Sequence, residues 1–178
     1  MDPKTIANIS LFTALAVSFR LLKHVIAGAF QLVNFPLSFA MIAGYFSGSL
    51  AGMLTGALSF YLSDLLLGLG PWTLVNSTLA AGIGAVWGVL RKSRSMGWPL
   101  FILAFISTFA YDVLSSFLLY MLFIRETWYA LVYALIGLFL PSMGGYMVGV
   151  GPITETLTAG VTTLVISRVR KAFGTEKF

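Results

Sequence analysis

Three of the six carboxylates in this sequence fall in or beside strongly apolar stretches, where a charge is costly. Asp112 is the clearest, set in the run FAYDVLSSF with Tyr111 before it, Ser115 and Ser116 a turn later, and no basic residue within one turn. Asp64 closes one apolar stretch and Glu155 opens another. A carboxylate in a hydrocarbon layer must pair with a base, stay protonated or face a polar cavity. The chemistry available is therefore to orient the donors of a ligand or to pass a cation, unless Arg20, Lys23 or Arg125 neutralises the acids or they snorkel to the surface. Trp72, Trp128, Tyr129, Tyr133 and Tyr146 collect in the same regions. An interfacial aromatic belt accounts for them, as does a pocket in which rings stack on a flat ligand and Asn76 helps orient it.

Reaction chemistry finds little support. No Gly-Lys dipeptide exists to build a phosphate-binding loop, and neither a Gly-x-Ser-x-Gly elbow nor a His-Glu-x-x-His pair occurs. The single histidine, His24, sits among Arg20 and Lys23, badly placed as a general base and unable to form a zinc site alone. With no cysteine there are no disulfides or thiolate metal sites. The expectation is a protein that is no enzyme and carries neither metal nor cofactor.

Residues of this kind must be held by membrane-spanning elements. The chain is 58% hydrophobic and only 10% charged, with a mean hydropathy of +0.94, far from the soluble balance. The net charge of +5 reads as topology signals at helix ends, with no nucleic-acid partner. A span needs about 20 apolar residues, so 178 residues make one transmembrane domain in the lipid bilayer, without a second, soluble one.

The apolar runs predict helices over 5–27, 35–46, 49–67, 73–90, 98–123 and 152–167. Read without a break, 35–67 would measure about 50 Å at about 1.5 Å per residue, too long for a bilayer, so Ser47-Gly48-Ser49 is the expected turn. Residues 6–19 could serve as a signal-peptide core, but Arg20, Lys23 and His24 crowd the segment before any cut, and a retained first helix is expected. The stretch 127–151 is apolar but broken by Pro141, Gly144, Gly145, Gly149 and Gly151. Six spans put Lys4, Arg91, Lys92, Arg94, Arg168, Arg170, Lys171 and Lys177 on one side, against Arg20, Lys23 and Arg125. The positive-inside rule then favours cytoplasmic termini, whereas a seventh span would reverse the balance. The expected fold is an all-α integral membrane protein: a compact bundle of six transmembrane helices with an outer irregular or re-entrant segment before the last helix. Such a segment is tolerated at membrane depth only where it is buried or lines a cavity.

Small residues recur at four-residue spacing. Gly44, Gly48, Gly52 and Gly56, with Gly82, Gly84 and Gly88, suit close helix approach inside the bundle. On the first helix Ser10, Ala14 and Ser18 share a face that could pack internally or meet another membrane protein.

These patterns resemble the substrate-binding S components of energy-coupling factor (ECF) vitamin transporters of prokaryotes. The likeness spans nearly the whole chain: the six-span layout, the first helix IANISLFTALA, the stretch GYFSGSLAGMLTGALSFYLSD from Gly44 to Asp64, and Gly70-Pro71-Trp72-Thr73-Leu74 before a Gly-rich helix. The resemblance implies a protein of the prokaryotic cell membrane that captures a vitamin or related micronutrient on the outer side. It implies as partners a transmembrane coupling subunit and two ATPase subunits. In that family an Ala-x-x-x-Ala motif on helix 1 contacts the coupling subunit; the matching positions here are Ser10 and Ala14, a conservative departure. The family's pocket lies on the outer side, in agreement with the polar half formed by Asp64, Asp112, Glu155 and the aromatics. The alternative reading is a self-sufficient ion-coupled carrier or channel using Asp64, Asp112 and Glu155. The three carboxylates lean the expected ligand toward a flat ring with donor or cationic groups.

Overall fold

A computed structural model describes residues 1–28, 30–90, 97–139, 142–144 and 147–173. Among them are seven helices: α1 (Pro3–Ala27), α2 (Phe35–Ser47), α3 (Ser49–Leu67), α4 (Pro71–Val89), α5 (Trp98–Tyr120), α6 (Thr127–Gly137) and α7 (Gly151–Phe173). Three short strands, β1 (Phe30–Gln31), β2 (Ser142–Gly144) and β3 (Met147–Gly149), form a small sheet in the order β1-β3-β2. β1 runs parallel to β3, and β2 antiparallel to it.

Local chemistry sets the breaks. The Asn34 side chain accepts a hydrogen bond from the Leu37 amide, capping α2, and Pro36 occupies its first turn, where a missing N–H costs nothing. Gly48, at φ 92°, is the one residue between α2 and α3, and this left-handed backbone lets the chain reverse there. Pro71 and Pro99 likewise sit in the first turns of α4 and α5.

α2 is buried on every face from Pro36 to Phe46 and forms the centre of the bundle. α3 and α4 pack on it through glycine. A Cβ added at Gly52 would collide with the Gly84 carbonyl, and one at Gly84 with the Gly52 carbonyl, so the glycine pattern serves internal packing. Around this centre Leu11, Leu65, Val86, Ile102, Ile106, Leu114 and Leu164 are exposed, an apolar outer surface suited to lipid and costly in water.

α1, α3 and α5 are each long and apolar enough to cross a membrane, and α2 and α6 are shorter apolar helices. α1 begins two residues earlier than expected, α5 ends at Tyr120, and α7 reaches Phe173. The broken stretch 127–151 begins as a regular helix, α6, and continues into the β2–β3 hairpin.

The short reversals gather the C-terminal ends of α1 and α3 with the N-terminal ends of α2, α4 and α7 near the strands, here called the strand end. Thr154 of α7 donates to the Gln31 carbonyl of β1 at 2.7 Å, tying helix to sheet. At the opposite end Asn8 donates to Ser47 (2.9 Å) and Arg170 to the Tyr45 hydroxyl (2.6 Å).

Candidate ligand-binding site

The strand end holds two polar clusters. In the first, Arg20 of α1 reaches α3, its Nη2 standing 2.7 Å from Asp64 Oδ1 while Nη1 donates to Ser63 Oγ. The second Asp64 oxygen accepts from the Thr73 hydroxyl at 2.8 Å, and Thr73 Oγ1 in turn accepts from the Gly70 amide at 3.3 Å. The guanidinium also lies over the Phe60 ring, 4.9 Å from its centroid. Charge, hydrogen bonds and ring face together compensate the burial of both ions. Phe60 passes the arrangement on, stacking against Tyr111 of α5 at 5.8 Å and 21°.

The second cluster joins α2 to α7. Thr154, Thr158 and Thr162 are spaced by four and all buried, so one face of α7 carries a ladder of hydroxyls. Thr158 Oγ1 accepts from the Asn34 backbone amide (2.9 Å), and the Thr162 and Ser38 hydroxyl oxygens lie 3.2 Å apart. Beside the ladder Glu155 is 2% exposed, and its Oε1 has no hydrogen-bond partner. Asp112 on α5 lies in the neighbourhood of Glu155. Asn34 Nδ2 is also buried without a hydrogen bond, although the amide lies near the Tyr111 hydroxyl. A buried polar group left unmet costs about 1–3 kcal/mol, so the site has capacity in hand for a ligand or water.

A small recess, with room for about one water molecule, lies at the edge of the first cluster. Its polar lining is Arg20, Lys23, Gln31 and Asn34, and its apolar lining Val33, Pro36 and Phe60.

Of the residues expected from sequence, Tyr111, Asp112 and Glu155 thus come together, while Asp64 is held by Arg20 and Thr73. The lean toward a cationic ligand loses one of its three carboxylates to that pairing. Trp72 is half-buried at the start of α4 with its indole over Gly70, and Asn76 is half-buried one turn further on. Tyr133 stands on an exposed face of α6, its ring 6.2 Å from that of Tyr120. Tyr146 lies outside the described residues. Ser10, Ala14 and Ser18 are all exposed, on the face of α1 away from buried Ile9, Thr13, Ala16 and Arg20.

Asn34 and the threonine ladder are the residues that sequence reasoning missed. Asn34 directly before Phe35-Pro36 is a capping signal, and the four-residue spacing of Thr154, Thr158 and Thr162 is visible in the chain. Comparison with protein-family models, with curated proteins and with solved structures finds no match to this chain.

Proposed function

We propose that the chain is the substrate-capturing subunit, or S component, of an ECF-type importer in the prokaryotic cell membrane. In this reading α1 to α5 and α7 are the six spans, with both termini cytoplasmic, and α6 with the β2–β3 hairpin is the outer cover of a binding site. A vitamin or related micronutrient binds at the strand end. A transmembrane coupling subunit and two ATPases then drive its delivery. The observation that carries the proposal is the gathering of buried, unmet polar groups, Asn34 Nδ2 and Glu155 Oε1, at one end of an otherwise apolar bundle. The exposed stripe of Ser10, Ala14 and Ser18 supports it, since small residues on a free helix face admit a close-packed partner helix.

Co-expression with the coupling and ATPase subunits tests the reading. A stable complex surviving affinity purification is expected. A chain that never associates with them yet transports solute alone in pure liposomes would replace it by the ion-coupled carrier, with Asp112 and Glu155 as the cation path.

A further inference from the structure

Helix α6 is apolar on every side, yet the protein covers only one side of it. Ala130, Ala134 and Leu138, spaced by four, form its buried stripe, and it packs on α5, where the Tyr133 ring lies 6.2 Å from that of Tyr120. Trp128, Tyr129, Tyr133, Leu135, Ile136 and Phe139 are exposed, Trp128 at 70% and Phe139 at 69%, and no charged residue occurs from Thr127 to Phe139. A helix that covered the site from the water side would turn polar residues outward, whereas one that is apolar all round is enclosed by protein or by lipid. Eleven residues at about 1.5 Å each reach about 16 Å, about half of a hydrocarbon core of roughly 30 Å.

The order of residues gives the helix a direction. Arg125 and Glu126, both exposed, precede it; Trp128, Tyr129 and Tyr133, rings with polar tips, occupy its first two turns, and Leu135, Ile136 and Phe139 follow. The same order is met on passing from lipid headgroups into acyl chains. Leu114, Leu118 and Leu157 are exposed on α5 and α7, so the face of α6 adds to an apolar outer surface already present on its neighbours. At its inner end the Gly151 amide donates to the Leu138 carbonyl at 2.9 Å, joining α6 to the start of α7. The β1-β3-β2 sheet then pairs backbone groups of the returning chain, as non-helical backbone at membrane depth requires.

We propose that α6 is a re-entrant half-span whose exposed face lies in the outer leaflet of the bilayer, with Trp128 and Tyr129 at the headgroups and Ile136 and Phe139 among the acyl chains. The partner of this surface is lipid, and Trp128, Tyr129 and Tyr133 serve as its anchors in place of rings that stack on a ligand. The inference holds whatever the strand end binds; only the choice of leaflet rests on the topology proposed above.

The sequence has no cysteine, so single replacements at exposed positions can each carry one nitroxide label: Arg125→Cys, Tyr129→Cys, Ile136→Cys and Phe139→Cys, with Leu164→Cys on the outer surface of α7 as the lipid-facing reference. The full chain is placed in liposomes of phosphatidylcholine and phosphatidylglycerol, and spin relaxation measures how often each label meets oxygen, which concentrates in acyl chains, and a water-soluble nickel chelate. The ratio of oxygen to nickel collisions should be lowest at Arg125, rise through Tyr129, and at Ile136 and Phe139 approach that at Leu164. Ile136→Cys and Phe139→Cys replace one another if either fails to fold. A label at these inner positions that meets the chelate as often as the label at Arg125 puts α6 in water and overturns the proposal. Exclusion of both reagents there overturns it as well, because a second copy of the chain would then cover this face. An equal ratio along the whole helix also overturns it, since α6 would lie flat in the interface.

Discussion

Arg20 and Asp64 form a buried ion pair between α1 and α3, 2.7 Å apart, with Ser63 and Thr73 completing the hydrogen bonds around it. Breaking such a pair from one side strands a charge, whereas removing both partners does not. Asp64→Ala is expected to cost about 3–5 kcal/mol of stability. The double variant Arg20→Ala/Asp64→Ala should cost clearly less than the sum of the single changes. Unfolding of the four proteins in one detergent measures the difference, and simple additivity would deny the coupling.

The contact of Gly52 with Gly84 gives a sharper packing test, because each backbone occupies the space a Cβ would need. Gly84→Ala should lower stability by about 1–3 kcal/mol or more, the range for forced overpacking. Gly82→Ala, on the same helix with nothing within 4 Å of the added carbon, should be neutral or mildly stabilising. Similar losses in both would mean that α4 is sensitive to alanine for reasons other than this close approach.

Most helices were legible because their evidence is local. Apolar runs, Gly48 and Gly68-Leu69-Gly70-Pro71 mark their limits, and the predicted ends fall within a few residues of the observed ones for α1 to α5. α6 escaped because eleven residues do not span a bilayer, and the glycines and proline after it dominate the reading. Within the site, charges in apolar runs drew attention to Asp64, Asp112 and Glu155. Which of them was already paired could not be read, because Arg20 and Asp64 meet only through the packing of α1 on α3. The threonines were passed over because a hydroxyl is cheap in a membrane helix, where it can bond the carbonyl one turn back, as Thr162 does to Thr158.

Asp112 is half-buried on α5, directly after Tyr111 and near Glu155. Asp112→Asn keeps the shape and removes the charge, and is expected to weaken binding of the transported molecule by about 1.5–3 kcal/mol, the range for hydrogen bonds to charged groups. That loss is roughly tenfold to more than a hundredfold in affinity, measurable by calorimetry once mass spectrometry has identified the small molecule retained through purification. Normal binding by the variant would remove Asp112 from the site.

Ala14 stands exposed at the centre of the small stripe on α1. Ala14→Trp places a ring where a partner helix would approach and does not disturb the buried face. Ligand binding and stability should stay close to wild type while uptake through the complex is lost. A parallel loss of binding would mean that this face supports the site itself.

Reconstituted uptake tests the capture-and-delivery account most directly. Liposomes containing the chain, the coupling subunit and both ATPases, loaded with ATP on the side that bears the ATPases, should accumulate the retained small molecule. Liposomes with the chain alone should bind it without accumulating it. Accumulation by the chain alone, driven by an ion gradient and indifferent to ATP, would contradict the account.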